Sequence, residues 1–144
     1  MSSSTGTAVL PHDTSLPGSG RRWAGFIMTG LIALFMLFDA AMKFVAPKPV
    51  AAAFVRSGWP IDLSLTLGVI LLTSTVLYLI PRTAVLGAIL LTGYLGGAVA
   101  TNLRLHNPWF SNTLFPVYFG ILVWGALWLR DPRVAELIPL RGRR

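Results

Sequence analysis

Cysteine does not occur in this 144-residue chain, histidine occurs twice, and only five residues are acidic. Without cysteine the chain by itself forms no disulfide, no thiol relay and no cysteine-ligated cluster. Of the two histidines, His12 lies in the N-terminal tail and His106 in a connection, so a metal site such as zinc, or a bis-histidine haem, is not supported within one protomer. A Walker loop, a dinucleotide fingerprint and a nucleophile elbow are missing as well, which leaves soluble-enzyme chemistry and any catalytic residue without support. Charged residues make up 12% of the chain against 54% hydrophobic ones, and the mean hydropathy is +0.68. A soluble domain of this size needs more polar surface; the lipid bilayer is the solvent that suits this composition.

The net charge of +7 does not point to nucleic acid, because the arginines sit at the ends of apolar blocks rather than on a basic face interleaved with aromatics. Residues 1–20 are rich in Ser, Thr, Gly and Pro and present no periodic apolar face, which predicts a disordered cytoplasmic tail. Residues 21–144 form a single compact unit. Its apolar residues fall in four blocks: about Trp23 to Val45, Ile61 to Ile80, Ala84 to Thr101 and Leu114 to Leu129. Each approaches the ~30 Å of a hydrocarbon core at 1.5 Å per residue, so the expected fold is all-α, an integral membrane four-helix bundle.

Arg21-Arg22 before an apolar run also resembles a cleavable secretory signal with Ala51-Ala52-Ala53 as a processing region. The run is long for such a signal and ends in Asp39 and Lys43, so retention as a helix is favoured. The first connection contains Pro47, Pro49, Gly58 and Pro60, and Val50 to Val55 within it is apolar enough for a short surface helix. Pro81-Arg82 closes the second span with a tight turn. In the third, Gly93 and Gly97 form a GxxxG, read as a helix-packing face inside the bundle, with homodimerisation as the alternative. Thr113 is the expected cap of the fourth, with Pro116 in its first turn.

Eight basic residues (Arg21, Arg22, Arg82, Arg130, Arg133, Arg141, Arg143, Arg144) share one side of this arrangement, and Lys43, Lys48, Arg56 and Arg104 the other. The positive-inside rule then places both termini in the cytoplasm of a cell bounded by its inner membrane. Trp23, Trp59, Trp109 and Trp128 fall near span ends, as interfacial anchors do.

Polar residues gather at the outer end: Asp39, Lys43, Asp62, Asn102, Arg104, His106 and Asn107. Asp39 lies about 9 Å inside the end of its span, where a lone carboxylate must pair or be protonated, and Lys43 follows four residues later on the same face. Gly25, Thr29 and Met36 continue that stripe; Asp62, Thr66 and Thr73 on the second span, and Gly93, Gly97, Thr101 and Arg104 on the third, form corresponding lines. Three such stripes converge either on a structural ion network or on an outer-leaflet pocket for the polar head of a quinone, lipid or other hydrophobic small molecule.

The segments Phe38-Asp39-Ala40-Ala41-Met42-Lys43, Gly93-Tyr94-Leu95-Gly96-Gly97-Ala98-Val99-Ala100-Thr101 and Leu114-Phe115-Pro116-Val117-Tyr118, running on to Leu129-Arg130-Asp131, resemble the DoxX-like family of small membrane proteins. The resemblance covers nearly everything after the tail. It implies a four-helix membrane bundle and, for some relatives, sulfur-compound oxidation coupled to quinone or membership of a membrane oxidoreductase assembly. Relatives tend to carry histidine after the Ala-Thr of span three; here Asn102 stands there, which weakens a proton-transfer or metal role at that position. The resulting expectation is an accessory or anchor subunit beside a membrane oxidoreductase, with quinone as the cofactor the resemblance suggests. A small transporter or exporter component acting as a homo-oligomer, and a purely structural membrane protein, are the alternatives.

Overall fold

A computed structural model describes residues 19–137. The tail expected to be disordered therefore lies outside the described residues, except that Ser19 and Gly20 belong to the first turn of a helix. Every regular element among the described residues is helical: α1 (Ser19–Val45), α2 (Lys48–Ser57), α3 (Leu63–Leu79), α4 (Ala84–Arg104), a π-helical turn (Trp109–Thr113), α5 (Phe115–Arg130) and α6 (Pro132–Leu137).

Local chemistry sets the breaks. Pro47 disfavours helical geometry at Ala46, which takes a φ of 44° and ends α1. Gly58, at φ 70°, closes α2: its N–H donates to Val55 O and that of Trp59 to Phe54 O, both at 3.1 Å, satisfying carbonyls that the helix end leaves open. This surface helix occupies the connection where one was expected. The second apolar block is shorter than its sequence suggests, because Leu63 and Ser64 bond back to Pro60 and Ile61 in tight turns and Pro81 stops the chain beyond Ile80. Its helix has 17 residues, about 25 Å, whereas Gly20–Val45, Ala84–Arg104 and Trp109–Arg130 are long and apolar enough to cross a membrane. Thr113 does not cap α5: it lies in the π-helical turn, its hydroxyl donates to Asn107 O at 3.3 Å, and Leu114 holds the cap position without a side-chain bond.

Helices α1 and α4 each pack on both α3 and α5. The core between them contains Met36, Leu71, Tyr78, Leu91, Val123 and Leu127, with Ala40, Ala88 and Ala126 bringing backbones close. Gly87 marks the tightest approach, since a Cβ there would collide with the backbone of Leu77 and Tyr78. Gly25 is similar: its added Cβ would stand 2.9 Å from the Arg130 nitrogen. Outward, the helices present Leu31, Leu34, Phe38, Leu65 and Ile121, all more than half exposed, the surface of a protein whose solvent is hydrocarbon.

The stripe expected on α1 is buried at Gly25, Thr29 and Met36. The line expected on the second span is not: Asp62, Thr66 and Thr73 are exposed, and α3 buries Ser64, Gly68, Leu71, Ser74, Thr75 and Tyr78 instead. Small hydroxyls that bond to their own helix's carbonyls, as Ser74 does to Ile70 O and Thr75 to Leu71 O, fit a close interface, whereas Thr66 and Thr73 lie on the opposite side.

Candidate functional site

Asp39 and Lys43, one turn apart near the end of α1, form the ion pair found among the described residues, with Nζ donating to both carboxylate oxygens at 2.7 Å. Lys43 is the more buried partner, at 14% side-chain exposure against 37% for Asp39. Two features of α3 hold this turn: Ser64 Oγ donates to Lys43 O at 2.8 Å, and Gly68 leaves room for the Lys43 side chain. The ammonium then lies 5.9 Å from the centre of the Tyr94 ring, so one side chain joins α1 to α4 across the interior.

Beyond Lys43 opens a cavity of about 860 Å³. Its polar mouth is lined by Lys43, Arg56, Asn102, Asn107 and Asn112, and its apolar depth by Leu67, Ile70, Gly93, Gly97 and Ala98. The mouth is shaped by the end of α4. Asn102 Nδ2 donates to Ala98 O at 3.0 Å while its Oδ1 accepts from Asn107 Nδ2 at 2.7 Å; His106 takes a φ of 53° to make that return. Arg104 donates to Ser57 O and so ties the end of α2, which forms one wall, to α4.

The expected cluster is thus brought together only in part. Lys43 and Asn102 line the cavity, Asp39 stands behind Lys43, and Arg104 braces the wall. Asp62 and His106 are exposed and line nothing. An ion network linking Asp39, Lys43, Asp62 and Arg104 is therefore not formed; Asp39 and Lys43 pair alone among the described residues. Sequence reasoning missed Tyr94 and Asn112. A tyrosine within an apolar span gives no sign of facing a polar group, though its place one residue after Gly93 was visible.

Gly93 and Gly97 also have a different role from the one expected. An added Cβ at either would meet nothing within 4 Å, because both border the cavity rather than a neighbouring helix. The close-packing glycines are Gly25 and Gly87. Among the described residues no three His, Asp or Glu side chains converge to hold a metal ion.

A second hollow of about 550 Å³ lies between α4 and α5, bordered by Gly96, Val99, Val117, Gly120 and Trp124. Of the two indoles on its lining, Trp124 donates from Nε1 to Thr92 Oγ1 at 3.0 Å, whereas Trp128 Nε1 is buried and donates to no partner among the described residues. At the other end of the helices, Arg130 donates to Tyr78 O at 2.6 Å with its guanidinium 4.8 Å from the Tyr78 ring centre, and the Tyr78 hydroxyl donates to Val123 O at 2.9 Å. Arg21 lies 4.6 Å from the Trp128 ring centre.

Long apolar helices with an apolar outer surface, and with their charged residues near the helix ends, define a multi-pass membrane protein. The sequence pattern of the DoxX-like family matches residues 27–126, from α1 to most of α5, and the chain belongs to that family. No curated protein and no solved structure matches the chain.

Proposed function

We propose that the chain crosses the inner membrane four times as an antiparallel four-helix bundle with both termini in the cytoplasm. In this reading it is a noncatalytic accessory or anchor subunit of a quinone-linked membrane oxidoreductase, and its outer-end cavity holds the polar head of a quinone or lipid. The cavity carries the proposal, because charged and amide side chains at its mouth meet an apolar wall that begins about one turn deeper and runs on to Gly93. Contacts between helix ends support the antiparallel order: Ser64 at the start of α3 bonds to Lys43 near the end of α1, and Arg21 at the start of α1 bonds to Trp128 O near the end of α5. The 17 residues of α3 suffice for a fourth crossing at the lower limit of span length, with Asp62 and Arg82 at the two interfaces.

The exporter reading is less favoured, since Leu71, Tyr78, Leu91, Val123 and Leu127 fill the interior between the helices. Organic extraction of the purified protein followed by mass spectrometry tests the proposal. A stoichiometric quinone or lipid is expected; repeated recovery of an empty chain from native membranes contradicts it. Reporters fused at Met1 and Arg144 test the topology, and both should read cytoplasmic.

A further inference from the structure

We infer that the occupant of this cavity is an anionic amphiphile, with a carboxylate or phosphate head at the mouth and an aliphatic chain laid along α4 over Gly97 and Gly93. The inference rests on the reading that the cavity binds a quinone or lipid, and narrows that reading to one charge class.

The charge balance of the lining favours an anion. Two cations, Lys43 and Arg56, border the cavity and, among the described residues, no acidic side chain does. Asp39 is turned to Lys43, and Asp62 is exposed outside the lining. Lys43 alone would be a poor anion site, because Asp39 engages it through both oxygens; its third N–H remains for a ligand. Arg56 has no such acidic partner among the described residues, and Arg104 adds a further cation behind the same wall, at the Ser57 carbonyl. A head group at this mouth therefore meets a net positive field and amide donors near the low-dielectric interior, where charge-assisted bonds are strongest.

The shape favours a chain. Ile70 lies about 10 Å along α3 from its first residue and Gly93 about 16 Å along α4 from its last, so the apolar part runs well below the polar mouth. Gly93 and Gly97 are exposed and one turn apart, with open space where a Cβ would stand, which leaves a strip of α4 free of side chains. Ile70, 46% exposed, borders the same strip from α3, so the cavity is open to the side that faces lipid. An amphiphile can slide in from the bilayer without its chain ever crossing water.

The test uses the full chain in nanodiscs of phosphatidylcholine, with oleate, lysophosphatidate, methyl oleate and a decyl benzoquinone as probes, read by thermal shift and native mass spectrometry. Oleate or lysophosphatidate should bind at least about tenfold more tightly than either uncharged probe, and the stronger of the two identifies a carboxylate or a phosphate head. Arg56→Gln, an exposed substitution on α2, should remove most of that preference. Gly97→Leu should block all binding yet melt where the ligand-free wild-type chain melts; if it does not fold, Gly93→Val serves as the second obstruction. Equal affinity for methyl oleate, or a preference that survives Arg56→Gln, overturns the inference. Stronger binding of the quinone overturns the anionic assignment while leaving the binding function intact, and binding of no probe overturns both.

Discussion

The two ends of the molecule handle their polar groups in opposite ways. At the Tyr78 end, the charge of Arg130 is spent on a backbone carbonyl and an aromatic face, the Tyr78 hydroxyl on another carbonyl, and Gly25 and Gly87 admit neighbouring backbone with no space to spare. At the Lys43 end, an ion pair, three asparagines and Arg56 surround a void, and the glycines beside it touch nothing. Closed packing at one end fixes the helices; the open arrangement at the other leaves room for a ligand. Glycine serves both ends, but as a point of contact in one and as an empty floor in the other.

Substitutions that exchange these properties should sharpen the contrast. The largest effect is expected from Gly87→Ala, which drives a methyl group into the backbone of Leu77 and Tyr78. Unfolding measured in detergent should show a loss of about 3 kcal/mol or more, or no folded protein at all. Wild-type stability would mean that α3 and α4 are not held this closely.

A smaller loss is expected at the ion pair. Asp39→Asn keeps the size of the side chain but leaves the more buried Lys43 without its partner, at about 1 to 2 kcal/mol because Asp39 is itself partly exposed. Adding Lys43→Gln should restore most of the stability, since no unpaired charge then remains. If the double variant is no better than the single one, the carboxylate supports the fold through something other than Lys43. An anionic amphiphile should be kept or held more tightly in Asp39→Asn, where Lys43 is freed for it, and held more weakly in the double variant, where Arg56 is the cation left on the lining.

Tyr78→Phe should cost about 1 kcal/mol, the value of its hydrogen bond to Val123 O, with ligand content unchanged because Tyr78 is remote from the cavity. The smallest effect belongs to Gly97→Leu. A GxxxG contact would make this substitution severe, whereas open space predicts a change within about 0.5 kcal/mol. A severe loss of stability there would restore Gly97 to a packing face.

Much of this contrast was legible in the sequence. The apolar blocks, the break at Pro81-Arg82, the surface helix in the first connection and the Asp39–Lys43 pair all follow from local rules of length, proline geometry and helical spacing. The rotational phase of α3 did not. That segment is apolar on every side, so periodicity cannot say which side is buried, and Asp62, Thr66 and Thr73 were an attractive but wrong guide; the small interface residues Ser64, Gly68 and Ser74 carried the better signal. GxxxG was equally ambiguous, because a stripe without side chains permits either a close helix or an open groove. Only the position of the neighbouring helix separates the two. The relation of Tyr94 to Lys43 depends on the same placement of α4 against α1 and α3, a long-range property no local spacing reports.

In the proposed function the Lys43 end is a ligand cavity floored by glycine. Native mass spectrometry of the wild-type chain and Gly97→Leu, both released from membranes of the same composition, tests it most directly. The wild type should carry one amphiphile per chain, and Gly97→Leu should emerge bare yet folded, melting where the delipidated wild-type chain melts. A bare wild-type chain, or the same adduct on both proteins, would contradict the claim.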